Sequence, residues 1–83
     1  MSHYSRAPRS GTRVQFLPND AAYAMFYRGS PSPSIYEKGT VKPIAGPGGP
    51  MTSMRGPRGG LVYVEWDSSG YSGVFLADIA PAR

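Results

Sequence analysis

From Leu61 to Trp66 the chain alternates, with Val62, Val64 and Trp66 on one parity and Leu61, Tyr63 and Glu65 on the other. β-Branched and aromatic residues at period two mark a strand with one well-buried face. Asp67-Ser68-Ser69-Gly70 then reads as a turn in which Gly70 takes positive φ, and a second apolar run spans Val74 to Leu76. Gly60–Leu76 is therefore expected to be a β-hairpin. A lone hairpin is marginal in water, so its apolar face needs the rest of the chain as cover.

The cover has to come from one small domain, since the chain has 83 residues. Apolar residues make up 40%, enough for a compact core. Glycine and proline account for 20 residues, and both oppose helix interiors, which argues against a helical bundle. There is no cysteine, so a disulfide-stapled scaffold and a cysteine-rich zinc site are excluded. No apolar run reaches the length of a membrane span, and the N-terminal residues lack the apolar segment of a secretory signal. The expected location is the cytoplasm, or a virion assembled there, with no membrane contact.

In chain order, residues 1–10 read as a basic arm in which Arg6 and Arg9 flank Pro8, ahead of a barrel domain at 11–83. His3, the only histidine, reads as solvated surface. Residues 12–17 form a first strand, with Val14 and Phe16 on one face and Arg13 and Gln15 on the other, ended by Pro18-Asn19-Asp20. Residues 20–28 fit two forms: a short helix capped by Asp20, with Tyr23, Phe26 and Tyr27 on one side, or an aromatic loop across the barrel mouth. Residues 29–38 form an extended Ser/Pro loop from which Tyr36 docks on an apolar face. Residues 39–44 form a second strand, placed at an edge or a bulge by Pro43. Residues 45–60 are dominated by glycine and proline and read as a long flexible loop bearing Arg55 and Arg58. They match neither a phosphate loop nor a dinucleotide fingerprint. Gly73 signals a bulge or a close backbone approach, and Asp78–Pro81 a turn that tucks Ile79 under the sheet.

Gly11-Thr12-Arg13-Val14, Lys38-Gly39-Thr40-Val41, Leu61 to Asp67 and Val74 to Ile79 succeed one another in an order that resembles the small SH3-like barrels of bacterial and phage proteins. These are similar in architecture to Tudor-like, ribosomal KOW-type and plasmid dihydrofolate-reductase barrels. The resemblance covers about residues 11–81 and implies an all-β, SH3-like, partly open barrel with long Gly/Pro-rich loops. It carries no activity over, because this barrel hosts unrelated roles. Pro18-Asn19-Asp20 stands where a KOW-type protein has a basic glycine turn, and Val14-Gln15-Phe16 lies at the wrong end for the reductase's motif.

Enzyme chemistry has little support in the residues. Glu65 and Asp67 share a strand face, where a solvated outer surface is the simplest account, and no serine has a base near it in sequence. No catalytic residue, metal ligand or cofactor is assigned, and an active site is left only to an oligomer that builds one from several chains. Charge is more informative. Residues 1–58 carry eight Lys/Arg against two acids (+6), and residues 59–83 one Arg against three (−2), for a net charge of +4. Two functions follow. The first is a structural or accessory protein that docks through its arm and loops on protein neighbours in an assembly such as a phage particle, or on further copies of itself. The second is a DNA- or RNA-binding barrel. Arg6, Arg9, Arg13, Arg28, Arg55 and Arg58, with Tyr23 and Tyr27, are the candidate contacts for either.

Overall fold

The computed structural model describes residues 3–28 and 32–82; Met1 and Ser2 of the arm, Gly29, Ser30 and Pro31 of the Ser/Pro loop, and Arg83 lie outside them. Strands β1 (Arg13–Phe16), β2 (Lys38–Val41), β3 (Ile44–Gly46), β4 (Gly49–Met51), β5 (Ser53–Met54), β6 (Leu61–Trp66), β7 (Gly70–Phe75) and β8 (Ile79–Pro81) are joined by one helix, α1 (Asp20–Phe26). Single 3-10 turns lie at Pro57–Gly59 and Leu76–Asp78. The main sheet runs β5-β6-β2-β1-β8, with β7 on the other side of β6, and all its pairings are antiparallel. It curls strongly into a half-barrel, so the partly open all-β barrel expected from the sequence is the fold.

The expected hairpin is its centre. β6 and β7 pair without interruption from Leu61↔Phe75 to Trp66↔Gly70, and Gly70 turns the chain at φ +81°. Val62, Val64 and Trp66 point inward and meet Val14, Phe16, Val41, Val74, Leu76 and Ile79 in one core. Each such side chain contributes about 1.5–3 kcal/mol on burial. Phe16 holds the middle, with its ring edge-on to Tyr27 at 4.8 Å and to Trp66 at 5.7 Å.

Several local expectations are corrected. The 20–28 segment is a helix rather than a loop, and its cap is Asn19, whose side chain accepts the Ala22 N–H at 2.7 Å. β2 stops at Val41 and lies between β1 and β6, so Pro43 falls outside the strand instead of marking an edge. Residues 45–60 are not a plain loop: β3 and β4 pair as a small separate hairpin, and β5 adds to β6. No bulge occurs at Gly73; a Cβ there would lie 3.2 Å from the Tyr63 ring, so the close approach is what glycine provides. Ile79 is buried as expected, but it belongs to β8, which pairs with β1, and the turn precedes it. Tyr36 does not dock: it is 67% exposed at φ +72°. The arm folds back on the domain over residues 3–10. Tyr4 and Ala7 pack on the core, Pro8 is buried, and His3 Nε2 donates to the Leu17 carbonyl at 3.1 Å.

Among the described residues no helix is long and apolar enough to cross a membrane.

Candidate docking surface

Two of the residues expected to meet a partner are engaged inside the molecule. Tyr27 is buried, and its hydroxyl donates to Asp78 Oδ2 at 2.5 Å while accepting the Phe75 N–H at 3.0 Å. Asp78 is 1% exposed, and Arg58 satisfies its other oxygen. The Arg58 guanidinium lies over the Phe26 and Phe75 rings, 5.1 and 5.6 Å from their centroids. Its Nε is buried without a hydrogen-bond partner among the described residues, so it is held by ring faces on that side. Burial first, and the bond to Asp78 second, push the Tyr27 phenol far above its ordinary ionisation range. Tyr27 therefore has no open ring face for a base, and Arg58 pins the end of the 45–60 segment to the barrel.

The other candidates are scattered. Arg6, Arg9, Arg28 and Arg55 are exposed, and among the described residues none of them forms an ion pair. Arg13 is committed to Asp67 through two bonds of 2.9 and 2.8 Å, and it also donates to Thr40. Its guanidinium holds the Asp67 carboxyl below the usual carboxylate range. Tyr23 is half-buried against Phe16, 6.4 Å from Tyr27. Glu65 faces Lys42 at 3.7 Å, so Glu65 and Asp67 answer different cations rather than each other.

Glu37, just before β2, ties the Ser34 segment to the turn between β6 and β7. Its carboxylate accepts the N–H groups of Ser34, Ser68 and Ser69 and the Ser69 hydroxyl, at 2.7–3.0 Å. Desolvation alone would raise its pKa; the Ser69 hydroxyl and the three backbone donors together outweigh that and hold it below the ordinary value.

The outer face of the β6–β7 hairpin carries what the candidate residues missed. Leu61, Tyr63 and Glu65 of β6 lie opposite Phe75, Gly73 and Tyr71 of β7. Tyr63 and Tyr71 stack at 6.5 Å and 15°, and the Tyr71 hydroxyl reaches the Lys42 and Pro43 carbonyls at 3.3 and 3.2 Å. Met54 pairs with Leu61 at one margin, and Phe26 meets Phe75 edge-on at 4.9 Å at the other. Met54, Tyr71 and Phe26 are each more than 40% exposed, so the apolar stripe reaches solvent. Its signal was present in the second parity of the hairpin, Leu61 and Tyr63 with Tyr71 and Phe75. A groove of about 260 Å³ runs beside it, between Ser72–Phe75 and the side formed by Tyr27, Ser32 and Pro33.

No family model matches the chain. Neither the curated proteins nor the solved structures yield a match.

Proposed function

We propose that this chain is a non-enzymatic docking module, a structural or accessory component that joins protein neighbours in a larger assembly such as a phage particle. The observation that carries this is the outer face of the β6–β7 hairpin, where Leu61, Tyr63 and Tyr71 form an apolar stripe that continues into Phe75, a ring half-buried against the core and under Arg58. A solvated sheet face ordinarily alternates to polar residues. Aromatic side chains gathered on such a face supply large contact area at low entropic cost, which is the chemistry of protein interfaces. Residues 3–10 of the arm fold back on the domain, and β5 and Arg58 anchor the end of the 45–60 segment, so this reading gives the docking role to the hairpin face ahead of the loops.

A photoreactive phenylalanine analogue at Tyr63 or Tyr71, with Pro50 as the comparison site, tests the reading in the cells that make the protein. The expected result is one discrete conjugate from the face positions, lost on Phe75→Glu and not formed from Pro50. Equal labelling from all sites, or none from the face, overturns it. A second reading, DNA or RNA binding, is favoured by the exposed Arg6, Arg9, Arg28 and Arg55. Retention of generic nucleic acid that falls steeply with salt would select it instead.

A further inference from the structure

We propose that β7 is a self-pairing edge: it joins β7 of a second copy of this chain, antiparallel, about a two-fold axis at Ser72. The pairing uses the strand's edge rather than its face, and so goes beyond the docking role proposed above.

In the β6–β7 ladder the residues alternate between bonding inward to β6 and pointing their N–H and C=O outward. Leu76 N–H bonds Gly60 C=O at 2.8 Å, while Tyr63 bonds to Thr52 and Lys42 on its other side. The inward set on β7 is therefore Gly70, Ser72 and Val74, and the outward set is Tyr71, Gly73 and Phe75. Phe75 N–H is taken by the Tyr27 hydroxyl. Among the described residues, the outward groups of Tyr71 and Gly73 have no strand beside them, because β7 pairs with β6 alone.

Exposed edges are normally blunted by shortness, proline or charge. The sheet's other open edges obey this: β8 has three residues and ends in Pro81, and β5 has two. β7 has six residues, and the whole run from Ser68 to Ala77 carries no charge. A strand that pairs with its own copy must tolerate its own charge pattern opposite it, and a neutral run does so in a chain of net charge +4. With the axis at Ser72, Tyr71 of each copy stands opposite Gly73 of the other. The two residues exchange both of their outward bonds, and Gly73 presents no side chain to obstruct the neighbour. The Phe75–Tyr27 bond stays intact, and the pairing is confined to Tyr71–Gly73, because Tyr27, Ser32 and Pro33 stand across the groove from the Phe75 end of the strand.

Light scattering on a size-exclusion column tests this. The expected mass is twice 8.9 kDa at high protein concentration, falling to 8.9 kDa on dilution. Tyr71→Pro removes one outward N–H and Tyr71→Lys charges the edge. Each is expected to weaken the dimer at least tenfold, while Tyr71→Phe leaves it intact. In the unaltered chain, hydrogen exchange at the Tyr71 and Gly73 amides slows as concentration rises. This readout holds even if a variant fails to fold. A monomer at every concentration, a dimer indifferent to both disruptive substitutions, or exchange at these amides independent of concentration overturns the proposal. Conjugates formed on the hairpin face with a different protein are unaffected by any of these results, so the two ideas fail separately.

Discussion

Tyr27→Phe isolates one hydroxyl that joins three elements. The ring remains, with its edge-on contact to Phe16, and only the oxygen is lost. Two bonds go with it, one donated to the buried Asp78 carboxylate and one accepted from Phe75 N–H. A hydrogen bond to a charged group contributes about 1.5–3 kcal/mol. The Phe75 N–H lines the edge of β7 beside the groove, where water replaces the lost acceptor, so its share is at most about 1 kcal/mol. Arg58 still holds the other Asp78 oxygen, which prevents a fully orphaned charge. The net cost is about 2–3 kcal/mol, a large fraction of the roughly 4–12 kcal/mol expected of a chain this long. Urea unfolding followed by Trp66 fluorescence should show the midpoint lower by about 2 M at unchanged slope, and melting lower by roughly 10–20 °C. Tyr23→Phe is the comparison, since its hydroxyl makes no hydrogen bond among the described residues. A Tyr27→Phe stability within about 0.5 kcal/mol of the parent, or equal to that of Tyr23→Phe, refutes the assignment of this energy to the hydroxyl.

Further outcomes follow from the same geometry. Gly39→Ala should lower stability by about 3 kcal/mol or more and unfold much of the protein at 37 °C, because the added Cβ would lie 2.6 Å from Val64 Cγ1 and 2.8 Å from the Glu65 carbonyl; circular dichroism melting decides it. Glu37 has a depressed pKa when folded, so its contribution is present above its ordinary value of 4.5 and is lost as pH falls through the lower folded value. Glu37→Gln should therefore flatten the acid limb of stability measured from about pH 6 to about pH 3, leaving the Asp67 part in place. The Tyr27 phenol is shifted the other way: its contribution is complete below the ordinary 10.0 and fades as pH rises above it. Absorbance titration should show that this tyrosine stays protonated until alkaline unfolding, and a titration in which all six tyrosines ionise together in the folded protein counts against its burial.

The hairpin was legible because one face is buried and the other is not, which imposes strict alternation on Leu61–Trp66. Val14 and Phe16 were legible for the same reason. Gln15 broke the pattern, since it is buried on the opposite face of β1. The helix stayed ambiguous because seven residues give little periodicity, and Asn19 and Asp20 are equally good caps by residue type. β3, β4 and β5 were not legible, since glycine and proline there read as loop and the strands are defined by partners elsewhere: Met51 for Ile44, Leu61 for Met54. β8 carries a proline that local reasoning counts against a strand, yet Pro81 sits on an edge where no donor is needed. At the candidate site, Arg58 and Tyr27 looked like outward contacts because their acceptor, Asp78, is 20 and 51 residues away. Ion pairs between distant segments leave no trace in spacing.

The partner of β1 on its outer side is β8, with Phe16 opposite Ile79 and Val14 opposite Pro81. A chain emerging from the ribosome makes β1 well before its neighbour β8, with every other strand in between. Until β8 follows, Val14 and Phe16 have β2 to lean on and no strand on their other side. Asp78, which receives both Tyr27 and Arg58, arrives in the same late stretch. Closure is thus deferred until residues 76–81 are free, and folds built from such distant pairings close on the millisecond-to-second scale. A nascent chain halted near Phe75 should be protease-sensitive throughout, including strands whose sequence is already complete.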